Sequence, residues 1–286
     1  MTNYIIYHGA DLDGFSSAWV VARATKNYKL VPETHRFYET IELLKLDLSN
    51  STIYFTDICP EQELFECVLA KSKNVIVLDH HRSIEPLAIK YPDNIHLDIA
   101  HSAVWVAWNY FYPENSPPPL LVQYISDNDI WQHKLPCTKA IYLALNCELR
   151  TVENFEKILA QISFRGIDYL AEIGNCMFKY QQHIVNELKQ QSFLRQYKYQ
   201  SLVLPTINTP TLQTEVLNEL SKTHPAALSY SLVPVNKEKE LYRVSLRSDR
   251  NNLNYIEVDK FALQYDGGGH KHAAGFYIEH IEDLWV

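Results

Sequence analysis

Acidic and histidine residues recur in this sequence in short groups. They are His8, Asp11 and Asp13, then Asp57, then the run Asp79-His80-His81, then Asp127 and Asp129 in the segment ISDNDIW. Carboxylate and imidazole donors without thiolates favour Mn²⁺, Mg²⁺ or a related ion over structural zinc. Ligands this numerous exceed the needs of one ion and suit a pair about 3.5–4 Å apart. Asp57 stands alone between the groups and is the natural bridging carboxylate. Water held between two such cations loses its proton near neutral pH and becomes a nucleophile. The same cations neutralise charge that develops on a phosphoryl group.

The elements that must position these groups are legible around them. Tyr4–Tyr7 reads as a strand, followed by a polar loop and a helix over residues 14–25. Ser51–Thr56 is another strand, and Pro60–Lys71 a helix with proline in its first turn, where a missing N–H costs nothing. Asn74–Leu78 is a third strand, and Asn94–Leu97 a short fourth that leads into a helix over Ser102–Tyr112. Alternating strands and helices predict a parallel sheet built from βαβ units. Each group of candidate ligands follows a predicted strand, and ligands of such sheets bind outside the carboxyl ends of the strands.

Leu120–Ser126 reads as helical, and so does most of Val152–Ser192. The pattern then changes to strands at Gln200–Pro205, Ala226–Val233 and Leu241–Leu246, with helices near Leu212–Ser221 and Ile256–Tyr265. The expected architecture is α/β: a parallel-sheet domain with helices on both faces and a helical connector over 1–195, then a smaller α/β domain with a mixed sheet over 196–286. Three of the eight glycines are consecutive, Gly267, Gly268 and Gly269, with His270 next. Such a run lets backbone N–H groups converge on an anion, and His270 and Arg247 could add charge-assisted contacts.

Length and composition narrow the function. The 286 residues allow about two domains. A formal charge of −8 argues against a protein that coats duplex nucleic acid, because phosphate neutralisation supplies most of that affinity. Five cysteines without a C-x-x-C pair argue against a disulfide framework and point to a reducing compartment. Neither a signal-peptide pattern nor a bilayer-length apolar run is evident, so a cytoplasmic location is expected, with no membrane partner.

Taken together, the motifs resemble those of the DHH phosphoesterases, a family named for the triplet found here as Asp79-His80-His81. The resemblance includes HGADLDG (residues 8–14), FTD (55–57), SDND (126–129), RVSLRS (243–248) and GGGHKHAAGF (267–276), in the family's order. The last two look like the substrate-binding DHHA1 domain. Many members separate the first histidine and aspartate by three residues, whereas here two intervene, Gly9 and Ala10. The resemblance implies a dimanganese centre in a cleft between the domains, with Mg²⁺ or Co²⁺ as alternative cations. His8, Asp11 and Asp57 would hold one ion, and Asp13, Asp57, His80 and Asp127 the other, with Asp129 as the alternative to Asp127. His81 would face the substrate phosphate, and Asp79 would orient the histidines. Asp57, Asp79 and His81 make up the implied catalytic set, and Arg247, Gly267, Gly268, Gly269 and His270 would bind substrate.

Simpler readings compete at several positions. Asp11, Asp13 and Asp57 could each be an ordinary helix N-cap, but their convergence with the histidines favours metal. The glycine run could be a hinge or tight turn. Asp98 reads as a helix cap and His101 as a packing residue, while His35, His96 and His133 read as structural or exposed. The expected substrates are short nucleotides: oligoribonucleotides, 3′-phosphoadenosine 5′-phosphate or dinucleotides. Phosphoanhydride hydrolysis of polyphosphate or pyrophosphate is the alternative, and a non-catalytic nucleotide-binding regulator the more remote one. A homodimer is compatible with this reading.

Overall fold

The computed structural model describes residues 2–34, 37–115, 117–234 and 240–286. His35 therefore lies outside the described residues. The chain divides into two compact units, Met1–Phe178 and Lys179–Val286. The division falls inside one continuous helix, Asp168–Gln190, whereas the sequence pattern placed it near residue 195. Helical periodicity continues smoothly through the division, so only the sequence after the helix signals a change.

The first unit runs β1 (Asn3–His8), α1 (Leu12–Ala24), β2 (Tyr28–Glu33), α2 (Tyr38–Leu43), β3 (Thr52–Thr56), α3 (Gln62–Lys71), β4 (Asn74–Asp79), α4 (Glu85–Lys90) and β5 (Ile95–Leu97). The helices α5 (Ala103–Phe111), α6 (Leu120–Asp129), α7 (Thr138–Asn146), α8 (Val152–Arg165) and α9 (Asp168–Gln190) follow. The five strands form one parallel sheet in the order β2-β1-β3-β4-β5.

Strand residues alternate between two cores, as the period of two requires. Ile5, Tyr54, Ile76 and Leu78 pack with α1, α5 and α6 on one face. Ile6, Ile53, Phe55, Val75 and Val77 pack with Phe65 and Val68 of α3 on the other. A sheet covered on both faces needs strands that are apolar throughout, which is why NVIVL reads as a continuous run. Strand order reverses between β1 and β3, and the crevice at such a reversal is where doubly wound sheets bind ligands.

Two local expectations need correction. Pro60 precedes Glu61, the N-cap of α3, so it lies before the helix and not in its first turn. Strand β2, which the sequence reading passed over, is an edge strand containing Pro32; the edge position tolerates a residue that cannot donate to a ladder.

The second unit contains the end of α9, then β6 (Phe193–Gln196), β7 (Val203–Asn208), α10 (Gln213–Ser221), β8 (Ala227–Pro234), β9 (Glu240–Arg247), α11 (Val258–Leu263), β10 (Gly268–His270) and β11 (Ala273–Ile278). Its six strands form a mixed sheet ordered β10-β11-β9-β8-β7-β6, with β7 and β8 parallel and the other pairs antiparallel. Val216, Leu217 and Leu220 of α10 pack with Val185, Ile207 and Ala227, while Phe261 of α11 packs with Leu228, Leu246 and Phe276. The α/β class, the parallel first sheet and the mixed second sheet are as expected. All five cysteines are free, and among the described residues no helix is long and apolar enough to cross a membrane.

Candidate functional site

The carboxyl ends of β1, β3 and β4 bring the expected groups together. His8 closes β1, Asp57 follows β3, and Asp79 closes β4 with His80 and His81 next. Gly14 lets the start of α1 press against this edge: a Cβ there would lie 2.1 Å from the His8 carbonyl oxygen. His8 Nδ1 lies 2.9 Å from Asp11 Oδ2 and 3.5 Å from Asp57 Oδ2. His80 Nε2 lies 3.3 Å from Asp57 Oδ1, 3.5 Å from Asp129 Oδ2 and 4.0 Å from Asp13 Oδ2. The two oxygens of Asp57 thus face opposite groups, His8 with Asp11 on one side and His80 on the other.

Protein donors hold most of these carboxylates in place. Asp11 is the N-cap of α1, accepting from the Gly14 N–H at 2.9 Å. Asp13 is fully buried and caps a different helix, α5. It accepts from Ser102 Oγ at 2.8 Å, from the Ala103 N–H at 2.8 Å and from the Val104 N–H at 3.1 Å. The capping and ligand readings of these residues coexist, because a carboxylate has about four lone-pair sites and a cap uses only some of them. Asp79 Oδ1 accepts from the N–H groups of His80 and His81 and contacts His81 Nδ1 at 2.7 Å, fixing both histidines.

Asp57 is held differently. It is buried and has a φ of 59°, the left-handed region that aspartate tolerates better than most residues. Its Oδ1 has His80 Nε2 at 3.3 Å, and the Oδ2 of Asp79 is buried without a hydrogen-bond partner. Orphaned carboxylate oxygens are costly inside a protein, and they are the atoms a cation would satisfy. Three groups place their donor atoms within 4.8 Å of one another: His8, Asp11 and Asp57; Asp13, His80 and Asp129; and Asp57, Asp79, His80 and His81. This cluster can hold a metal ion.

The electrostatics record the crowding of negative charge. Hydrogen bonding to Asp11, reinforced by Asp57, raises the His8 imidazole to about 10. Burial alone would lower His80, but hydrogen bonding to Asp57 and the charges of Asp13 and Asp129 raise it to about 9. Burial pushes Asp129 up to about 6, with the Asp57 charge adding to the shift. Burial, Asp57 and Asp129 also raise Asp13 well above the ordinary carboxylate range.

Asp127 and Asp129 separate clearly. The expectation put Asp127 in the ligand set, but its carboxylate accepts from the N–H groups of Lys134 and Leu135 and from the Thr138 hydroxyl. It ties down the loop between α6 and α7, and Asp129 faces His80 instead. The two residues are two apart on a helix and so point in different directions. Asp98 also departs from expectation. Ser102, not Asp98, is the N-cap of α5; Asp98 accepts from the Ala100 N–H and contacts His101 Nδ1 at 2.8 Å. Two residues that the sequence reading missed lie beside the cluster. Arg150 reaches the Gly9 carbonyl in the loop between His8 and Asp11, and Tyr142, on α7, is raised by burial and by the charges of Asp129 and Asp11.

Arg247, Gly268 and Gly269 lie in the second unit, lining a groove of about 310 Å³ with Arg243 and Ser245. Gly267 and His270 are outside that lining. Gly268 and Gly269 of the run begin β10 and pair with β11, where the sequence suggested an anion-binding nest. A Cβ at Gly267 would meet the Gly275 carbonyl at 2.4 Å, and one at Gly269 would meet the Ala273 carbonyl at 2.4 Å. Gly269 also has a φ of 141°, so hairpin packing accounts for these two glycines. Gly268 faces open space.

The described fold has solved counterparts. No family model matches the sequence. The DHH domain of a member of a ribosomal-protein family aligns over 97% of this chain and 83% of its own, at 13% identity and a TM-score of 0.56. The chain has the DHH fold. A pGpG-specific phosphodiesterase of Vibrio cholerae aligns over 99% of this chain and 95% of its own, at 13% identity and a TM-score of 0.54. In sequence, the uncharacterised protein R106 of Acanthamoeba polyphaga mimivirus is 25% identical over 297 residues, covering 97% of this chain and 68% of that protein. The triplet for which the DHH fold is named, Asp79-His80-His81, lies here at the carboxyl end of β4.

Proposed function

We propose that this protein is a DHH-family, metal-dependent phosphoesterase that hydrolyses short nucleotides. The observation that carries the reading is the convergence of His8, Asp11, Asp13, Asp57, His80 and Asp129 at the strand-order reversal, with a buried oxygen of Asp79 left without a hydrogen-bond partner. His8, Asp11 and Asp57 would hold one cation and Asp13, Asp57, His80 and Asp129 a second, with Mn²⁺ the foremost candidate. Divalent cations bound there would supply Lewis-acid charge against phosphoryl oxygens and lower the pKa of an attacking water.

The chain's own residues then have distinct tasks. Asp57 spans both sides of the cluster. Asp79 aligns His80 and His81 through three contacts to one oxygen, which leaves His81 to meet the substrate phosphate. In the second unit, Arg243 and Arg247 bring cationic groups to the groove, and among the described residues neither forms an ion pair. These groups suit the terminal phosphate or further phosphodiester of a short nucleotide. The fold shared with a pGpG-specific phosphodiesterase makes linear dinucleotides the first substrate to try. A net charge of −8 provides little hold on a long backbone.

The test is a side-by-side assay with Mn²⁺ or Mg²⁺ on pGpG, 3′-phosphoadenosine 5′-phosphate, a 24-mer and polyphosphate. Metal-dependent turnover that favours the two small nucleotides is expected. Preference for polyphosphate would replace the reading with phosphoanhydride hydrolysis, and no metal-dependent turnover of any of them would end it.

A further inference from the structure

The segment from Asp98 to Ala103 is pinned at both ends to the site. The Asp98 N–H bonds the Asp79 carbonyl at 3.2 Å, while Ser102 Oγ and the Ala103 N–H bond the carboxylate of Asp13. His101 lies between those anchors, at the carboxyl edge of the sheet beside β4. Its Nδ1 meets Asp98 Oδ2 at 2.8 Å, and its ring stacks on Trp105 with centroids 4.5 Å apart and planes 18° from parallel. The two contacts fix the ring's position and plane. With Nδ1 committed to Asp98, Nε2 is the ring nitrogen left to act, on a side chain 38% exposed. Among the described residues no group of candidate metal ligands includes His101, whereas His8, His80 and His81, which also contact aspartates, each lie in one.

We propose that His101 is the proton donor to the leaving group of the phosphoester reaction and that Asp98 is its positioning residue. The inference rests on the phosphoesterase reading above. When the P–O bond to the departing oxygen breaks, its electron pair stays on that oxygen. The proton on His101 Nε2 moves to it and completes a hydroxyl. The imidazolium becomes a neutral ring that keeps its Nδ1 proton on Asp98, and solvent restores the Nε2 proton. A carboxylate that fixes one ring nitrogen so that the other handles the transferred proton is an established catalytic arrangement.

Leaving groups of different basicity test this. A ribose alkoxide needs a proton when pGpG is cleaved, whereas p-nitrophenolate leaves without one from the p-nitrophenyl ester of thymidine 5′-monophosphate. His101→Gln should lower kcat for pGpG by about 10²–10⁴-fold while leaving the nitrophenyl ester within about threefold. Asp98→Asn should show the same split with a smaller loss. Metal content and melting temperature should match the unsubstituted protein in both variants. Equal losses on both esters would reduce His101 to a structural residue and overturn the proposal, as would unchanged pGpG turnover. A split seen in His81→Gln and absent from His101→Gln would assign the proton to His81 instead. If the unsubstituted protein cleaves neither ester, the phosphoesterase reading falls, and the donor role falls with it.

Discussion

The first unit and the second meet opposite electrostatic demands with opposite residues. At the sheet edge of the first, Asp11, Asp13, Asp57, Asp79 and Asp129 are crowded around His8, His80 and His81, and raised pKa values show what that crowding costs without a cation. In the second, burial lowers the Arg247 guanidinium below its ordinary range, and the Nε of Arg243 is buried without a partner. The first site has carboxylates in excess, and in the second neither Arg243 nor Arg247 has a carboxylate ion-pair partner among the described residues. A divalent cation would satisfy the first, and an anionic substrate the second. Phosphate chemistry is therefore compatible with an acidic chain: the carboxylates would hold cations, and the arginines that would meet an anion are few and local.

The sharpest way to break the contrast is at Asp57, which faces both sides of the acidic cluster. Asp57→Asn retains a residue that tolerates the left-handed backbone and removes the charge. Turnover is expected to fall by about a thousandfold or more, with metal content below that of the unsubstituted protein and an unchanged circular dichroism spectrum. Retained metal and activity would show that Asp57 bridges nothing. Asp79→Asn weakens the alignment of His80 and His81 without removing either, and about 10–100-fold lower metal affinity or activity is expected. On the anion side, Arg247→Ala should raise KM for pGpG about tenfold or more while metal content stays the same. Metal loss in that variant would show that the two demands are not separate.

A smaller effect distinguishes the two aspartates of α6. Asp127→Asn removes charge-assisted bonds to the loop before α7 and should lower the melting temperature by several degrees, with metal binding retained. Asp129→Asn should do the reverse. Because the folded-state pKa of Asp129 is raised to about 6, its charge destabilises the metal-free protein above that pH. Removing the charge should raise the metal-free melting temperature at pH 7.5 by a few degrees while weakening metal binding. Titration calorimetry gives the smallest signal. His8 and His80, raised to about 10 and 9, hold protons at pH 7.5, so metal binding should release them and make the observed enthalpy depend on the buffer. A buffer-independent enthalpy would contradict the protonated resting site.

Much of the first unit was legible because its strands are apolar on both faces and end on residues with donor chemistry. Tyr4–Tyr7, Ser51–Thr56 and Asn74–Leu78 each differ from the observed strands by no more than a residue at either end. What the sequence hid was direction. Asp127 and Asp129 share one short motif, and only the register of α6 against its neighbours sends one to the loop and the other to His80. The glycine run invited an anion-binding reading, yet close hairpin contacts account for two of its three members. Arg150 carries no motif, and its place beside the β1–α1 loop comes from tertiary packing.

The most direct test of a two-cation site is a metal titration of the chelator-stripped protein, followed by pGpG hydrolysis and by elemental analysis of each loaded sample. No turnover is expected without metal, and turnover should appear as Mn²⁺ content approaches two ions per chain, with Asp57→Asn failing to reach it. Turnover in the stripped protein, or none at full metal loading on any short nucleotide, would contradict it.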